Sequence, residues 1–133
     1  MAKSKITFPT EKDVEDYFLL KDMLHAQRVE FDLLSKKNND GQLNPMKIKM
    51  INRVLEPLNR IFIHEASHAF LDLVKEEDMP TNSDVVLIIS QYETAIEEFK
   101  DKYYQSDEYQ PKAYGGYESR WMTKEYPPDY YKS

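Results

Sequence analysis

Three long stretches of this sequence repeat apolar residues with the period of an α-helix, and each stretch begins at a helix-capping signal. The first starts at Thr10, with Asp13 three positions later, and the second starts at Asn44-Pro45. The third starts at Thr81, again with an aspartate three positions later. Such residues satisfy backbone N–H groups of the first turn, which have no partner inside the helix. The pattern predicts an all-α fold, a bundle of three main helices.

The second helical stretch extends from Asn44 as far as Asp78 and contains Pro57. A proline inside a helix removes one backbone donor, and its ring clashes with the carbonyl group four residues earlier. We therefore expect this helix to be kinked at Pro57 or split there into two shorter helices. The apolar positions of the stretch share one face, which predicts that this face packs in the core.

The third stretch opens with the aliphatic run Val85–Ile89, which would also fit a buried strand. Beyond this run, apolar residues continue at helical spacing as far as Tyr103. Because a strand would not need that longer period, we predict a helix here. A mixed α/β fold, with residues 84–90 as a strand, is the alternative.

The composition changes from residue 106 onward, where prolines and glycines replace the helical period and tyrosines become frequent. Disordered segments are usually poor in aromatic residues, so we expect an extended C-terminal tail that packs on the bundle or on a partner. The predicted organisation is a helical bundle domain at residues 1–105 and this tail at residues 106–133. The expected partner-binding residues are the aromatic side chains of the tail: Tyr109, Tyr114, Tyr117, Trp121, Tyr126, Tyr130 and Tyr131.

The composition excludes several classes of function. The chain has no cysteine, which rules out disulfide scaffolds, cysteine-bound zinc and thiol nucleophiles. Its net charge of −6 opposes binding to a phosphate backbone, and its three glycines leave no glycine-rich nucleotide loop. The sequence has no apolar stretch of membrane-spanning length and no signal peptide, so we expect a cytoplasmic protein without a membrane partner.

One short motif carries chemistry. His64-Glu65-Ala66-Ser67-His68 has H-E-x-x-H spacing and resembles the zinc-binding motif of the zincin metallopeptidases. Residues four apart lie on the same side of a helix, so both imidazoles can bind one ion. The resemblance implies that His64 and His68 are zinc ligands and that Glu65 is the general base. A third ligand would come from the following turn or the next helix: Asp72, Glu93 or Glu97.

The resemblance covers five residues of the 133, and no strand pattern precedes residue 57, whereas the zincin motif helix packs against a sheet. We therefore expect a small acidic, non-enzymatic interaction or assembly protein, such as a subunit or inhibitor of a larger complex, that needs no cofactor. It would bind another protein or a second copy of itself through a helical face and the aromatic tail. The alternatives are a zinc-dependent metallopeptidase, and a protein that stacks single-stranded nucleic acid on the tail. Nucleic acid is the less favoured partner, because acidic residues outnumber basic ones in the tail.

Overall fold

The computed structural model describes residues 7–111 and 117–128 of the chain. Within these ranges it contains three long helices and a pair of strands, which confirms the predicted helical bundle. None of the helices in the same ranges is long and apolar enough to span a membrane. The elements are α1 (Glu11–Lys37), α2 (Pro45–Ile61), α3 (Asn82–Tyr103), β1 (Tyr104–Pro111) and β2 (Tyr117–Trp121).

Helix α1 begins at the predicted signal. The Thr10 side chain accepts a hydrogen bond from Asp13 N–H, and the Asp13 carboxylate accepts one from Thr10 N–H, both at 3.0 Å. Lys36 and Lys37 lie in the last turn, where positive charge is favourable beside the unpaired carbonyl groups. One side of the helix packs in the core through Val14, Tyr17, Leu20, Leu24 and Phe31.

Helix α2 also begins as predicted, since the Asn44 side chain accepts a backbone N–H of the first turn. The helix is not split at Pro57, which lies inside one continuous element. The predicted extension to Asp78 is wrong, because α2 ends at Ile61. Residues 62–81, which we call the return segment, contain two short 3₁₀ helices instead, Ala66–Phe70 and Glu76–Asp78.

Side chains of α2 and α3 hold the return segment against the bundle. The Asn52 side chain donates to the carbonyl oxygen of Val74 at 2.8 Å and accepts from Val74 N–H at 3.0 Å. The Tyr92 hydroxyl donates to the carbonyl oxygen of Asp72 at 3.0 Å. These contacts satisfy backbone groups that a longer α2 would have paired internally, so the chain can double back along the bundle. Met79, in the left-handed region with φ 52°, lies in the turn that leads into α3.

Helix α3 includes residues 84–90, so the predicted helix is confirmed and the strand alternative is wrong. Thr81 and Asp84 form a capping box at its start, in which each side chain accepts the backbone N–H of the other residue. The aliphatic run is thus the first part of one long buried face, and the helical period that continues beyond it decides the conformation. The apolar residues of that face are Val85, Ile89, Tyr92, Ala95, Ile96, Phe99 and Tyr103.

Where an extended tail was predicted, the described residues form an antiparallel pair of strands. Strand β1 continues directly from α3, and Tyr104 pairs with Trp121 at the base of the pair. Immediately after β2, Met122 and Thr123 are buried. Trp121, Met122 and Thr123 therefore pack on the bundle, while the extended tail over residues 106–133 stays a prediction.

Candidate functional site

The HEASH segment (residues 64–68) lies in the return segment, beyond the end of α2. His64 is in a turn, Glu65 has extended backbone with φ −91° and ψ 149°, and His68 lies in the first 3₁₀ helix. The α-helical spacing that the zinc hypothesis assumed is therefore wrong for this segment. Because a 3₁₀ helix repeats every three residues, positions four apart do not project in the same direction.

The candidate zinc ligands have separate partners. Nε2 of His68 lies 2.8 Å from Oδ1 of Asn59 on α2. The Asp72 carboxylate accepts a hydrogen bond from a glutamine of α3 at 2.9 Å, and Glu93 pairs with Arg28 of α1. Within residues 7–111 and 117–128, no three histidine, aspartate or glutamate side chains are grouped so that they could hold a metal ion.

Glu65, the expected general base, links the return segment to the end of α3. Its side chain is only 10% exposed. Oε2 accepts a hydrogen bond from the Tyr103 hydroxyl at 2.7 Å, and Oε1 lies 3.2 Å from Nζ of Lys102. Burial raises the pKa of Tyr103, and the hydrogen bond to Glu65 and its negative charge raise it further. The phenol therefore stays protonated, and Glu65 acts as a structural acceptor.

Replacing Glu65 with alanine is expected to lower the free energy of unfolding by about 2 kcal/mol, because the buried Tyr103 hydroxyl loses its charged acceptor. Chemical denaturation followed by circular dichroism measures the change, and Tyr103→Phe completes a double-mutant cycle. Glu98→Ala, which removes an exposed carboxylate from α3, is the matched control. An effect of Glu65→Ala as small as that of the control would contradict the anchoring role.

Residues that the zinc hypothesis combined line two different cavities. His64 and Glu65 line a cleft of about 140 Å³ near the start of α1, together with Arg60 and Lys124. A separate groove of about 400 Å³ between α1 and α3 is lined by the α3 carboxylates Glu93 and Glu97. Glu93 and Glu97 thus lie apart from the HEASH segment, and they share their groove with Lys21, Asp22 and His25.

The predicted partner-binding aromatic residues do not form one exposed surface in the described part of the chain. Trp121 packs inward, with its ring centroid 5.2 Å from that of Tyr17 and 5.8 Å from that of Phe99. Tyr126 is exposed, and its role in binding stays a prediction. Tyr109 lies on β1 and Tyr117 on β2, but their side chains fall outside the described part, as do all of Tyr114, Tyr130 and Tyr131.

Helix α1 has a second apolar side, which faces solvent. Leu19 is 61% exposed and Leu33 is 51% exposed, while Met23 and Val29 are each 47% exposed. Together with the exposed Ala26 they form a row along the helix at 100° per residue, on the side opposite the core-facing residues. We call this row of five residues the α1 outer face.

Helix α1 carries more exposed large apolar side chains than either of the other helices. Among the described residues, α1 carries five of them and the return segment three, whereas α2 carries Met46 and Met50 and α3 carries Leu87. Sequence reasoning missed the α1 outer face because it followed only the positions that point to the core. The available signal was a second set of apolar residues at helical spacing on the opposite side of the same stretch. A row of exposed apolar side chains of this kind makes the α1 outer face a candidate for an interaction surface.

Comparisons with known proteins give no information about this surface. No protein-family model, no curated protein and no solved structure matches the chain. The assignment of a function therefore depends on the exposure, contacts and charges of the residues described here.

Proposed function

We propose that this protein is a non-enzymatic assembly module that binds another protein through the α1 outer face. The observation that carries the proposal is the exposure of four large apolar side chains in one row, on a helix whose other side is already buried. The bundle does not need this row for its own core, because the inner side of α1 makes the contacts to α2 and α3. A second apolar side of this kind is suited to being covered by another surface.

Burial of the α1 outer face would contribute measurably to a complex. Full burial of a leucine, valine or methionine side chain stabilises by roughly 1.5–3 kcal/mol relative to full exposure. Four side chains that start about half exposed would together contribute about 3–6 kcal/mol. Since association costs at least about 4 kcal/mol in lost translational and rotational freedom, the partner must also bury an apolar surface of its own.

The α1 outer face is formed before any partner arrives. Helix α1 is capped at its start, and Arg28 on its side bridges Asp32 of α1 and Glu93 of α3. A surface held in this way loses little conformational freedom on binding. Such a preformed apolar helix is suited to pairing with a second helix or to lying in an apolar groove.

A photo-reactive amino acid, p-benzoylphenylalanine, placed at Met23 tests the proposal in the cells that make the protein. We expect illumination to give one cross-linked product of defined mass, because Met23 would lie inside the complex. The same probe at Lys49, an exposed position on α2, is the positional control and should give no such product.

Substitutions on the α1 outer face show whether the cross-linked product from Met23 depends on this face. Leu19→Glu combined with Leu33→Glu is expected to lower the cross-linking yield from Met23 by at least about tenfold, because charge would be buried against the partner. Leu87→Glu, at the exposed leucine of α3, should leave the yield unchanged. Equal yields from Met23 and Lys49, or a product that persists in the double variant, would contradict the proposal.

A further inference from the structure

We propose that the protein bound at the α1 outer face is a second copy of this chain. The two α1 helices pair antiparallel across a two-fold axis that passes beside Ala26. This inference rests on the proposed function and adds to it the identity of the partner and the register of the contact. It follows from the spacing of the apolar residues and from the charges at the two ends of the helix.

The spacing of the α1 outer face is symmetric about Ala26. Met23 and Val29 lie three residues from it on either side, and Leu19 and Leu33 lie seven residues from it. In an antiparallel pair centred on Ala26, Leu19 of one copy therefore meets Leu33 of the other, and Met23 meets Val29. A two-fold interface must be self-complementary in this way, with each contact occurring twice. The small alanine at the centre lets the two helices approach closely where they cross.

The charges along the same side of α1 favour the antiparallel direction. The same register places Glu15, near the acidic start of α1, opposite Lys37 in the basic last turn of the other copy. Both side chains are exposed, and within the described part of the chain neither has a salt bridge of its own. A parallel pair would instead bring two acidic starts together and two basic ends together. Antiparallel pairing also sets opposite ends of the two helix dipoles side by side.

Two carboxylates lie within the arc of the α1 outer face. At 100° per residue, Asp22 and Glu30 lie about 40° to either side of Ala26, whereas Met23 and Val29 lie about 60° from it. In the register centred on Ala26, Asp22 of one copy therefore lies opposite Glu30 of the other copy, and this contact occurs twice. These like charges weaken the pair, and they are one reason to expect a reversible dimer.

The contact is short, so the expected dimer is reversible. Leu19 and Leu33 are separated by about 21 Å along the helix at 1.5 Å per residue. Interfaces of this small size are typical of weak or transient pairs. Sedimentation velocity of the unmodified full chain should therefore show a monomer that is replaced by a dimer as the concentration rises.

Cysteine cross-linking reports the register directly, because the natural chain contains no cysteine. Disulfides need Cα atoms within about 7 Å of each other, a distance that only facing residues reach in a helix pair. We expect Ala26→Cys to form a disulfide-linked dimer in a glutathione redox buffer. A mixture of Leu19→Cys and Leu33→Cys chains should cross-link at least about tenfold faster than either variant alone. Leu87→Cys on α3 is the control and should remain monomeric.

A charge exchange provides a test that does not depend on cysteine. Glu15→Lys and Lys37→Glu should each weaken dimerisation, because like charges would then face each other in the assumed register. The variant that carries both changes should regain the dimerisation of the natural chain. Because both residues are exposed, neither change disturbs the core, and circular dichroism verifies that the helices remain.

The outcomes separate this inference from the proposed function. A chain that stays monomeric at every concentration, while the probe at Met23 cross-links to a different protein, overturns self-pairing and leaves the assembly role in place. Faster cross-linking of Leu19→Cys alone than of the mixture also overturns the inference, because it indicates parallel pairing. A monomer that gives no product from Met23 contradicts both proposals.

Discussion

Replacing Phe99 with alanine is expected to lower the free energy of unfolding by about 4 kcal/mol, because it removes the ring at the centre of the aromatic core. Phe99 is 1% exposed. Its ring centroid lies between 5.0 and 5.8 Å from those of four other rings, which come from α1, the start of the return segment, α3 and β2: Tyr17, Phe62, Tyr103 and Trp121. A cavity at this position would loosen all of these elements together.

Equilibrium denaturation in urea measures the effect of Phe99→Ala. Leu87→Ala on the same helix is the control, since Leu87 is 67% exposed and a surface change of this kind should alter stability by no more than about 0.5 kcal/mol. A loss below about 1 kcal/mol for Phe99→Ala would show that the core does not depend on this ring.

Deleting residues 106–133 is expected to destabilise the three helices by at least about 4 kcal/mol. The deletion removes Trp121, whose ring lies against those of Tyr17, Phe18 and Phe99. It also removes Glu125, whose Oε2 accepts the backbone N–H of Glu11 at 2.9 Å in the first turn of α1. The loss of an acceptor for a helix start costs about 1 kcal/mol in addition.

The truncated chain and the full chain are compared by circular dichroism during urea unfolding. Trp121→Ala in the full chain should reproduce most of the loss, about 3 kcal/mol, because the ring is the largest part of the contact. Tyr126→Ala is the control, since Tyr126 is exposed. A truncated chain as stable as the full one would mean that the segment after residue 105 is an accessory to the bundle and not a part of it.

The zinc hypothesis illustrates how a short motif depends on its surroundings. The inference that His64 and His68 could bind one ion assumed an α-helix, and the chain around them is not α-helical. Asn52 and Asn59, seven residues apart on α2, contribute to this outcome through their bonds to Val74 and to His68. The sequence shows two asparagines in an amphipathic helix but does not show that their amides bind a segment that folds back.

Trp121 shows the same limit for aromatic residues. A tyrosine-rich segment suits a protein interface, but the same side chains suit the protein's own core equally well. The Trp121 ring packs against the bundle, because β1 continues from α3 and β2 runs back beside it, which pairs Trp121 with Tyr104.

The apolar row on α1, by contrast, was present in the sequence at regular spacing. Only the tertiary structure shows that this row is exposed, because α2 and α3 pack against the other side of α1.

The sequence by itself determined where the three helices begin and which of their faces are apolar. Capping at Thr10, Asn44 and Thr81 involves atoms only three residues apart, and the helical period is equally local. The tertiary structure alone decided where α2 ends, where Glu65 and Trp121 point, and which apolar side of α1 meets the core. These outcomes depend on contacts between residues far apart in the chain, and no local pattern specifies such contacts.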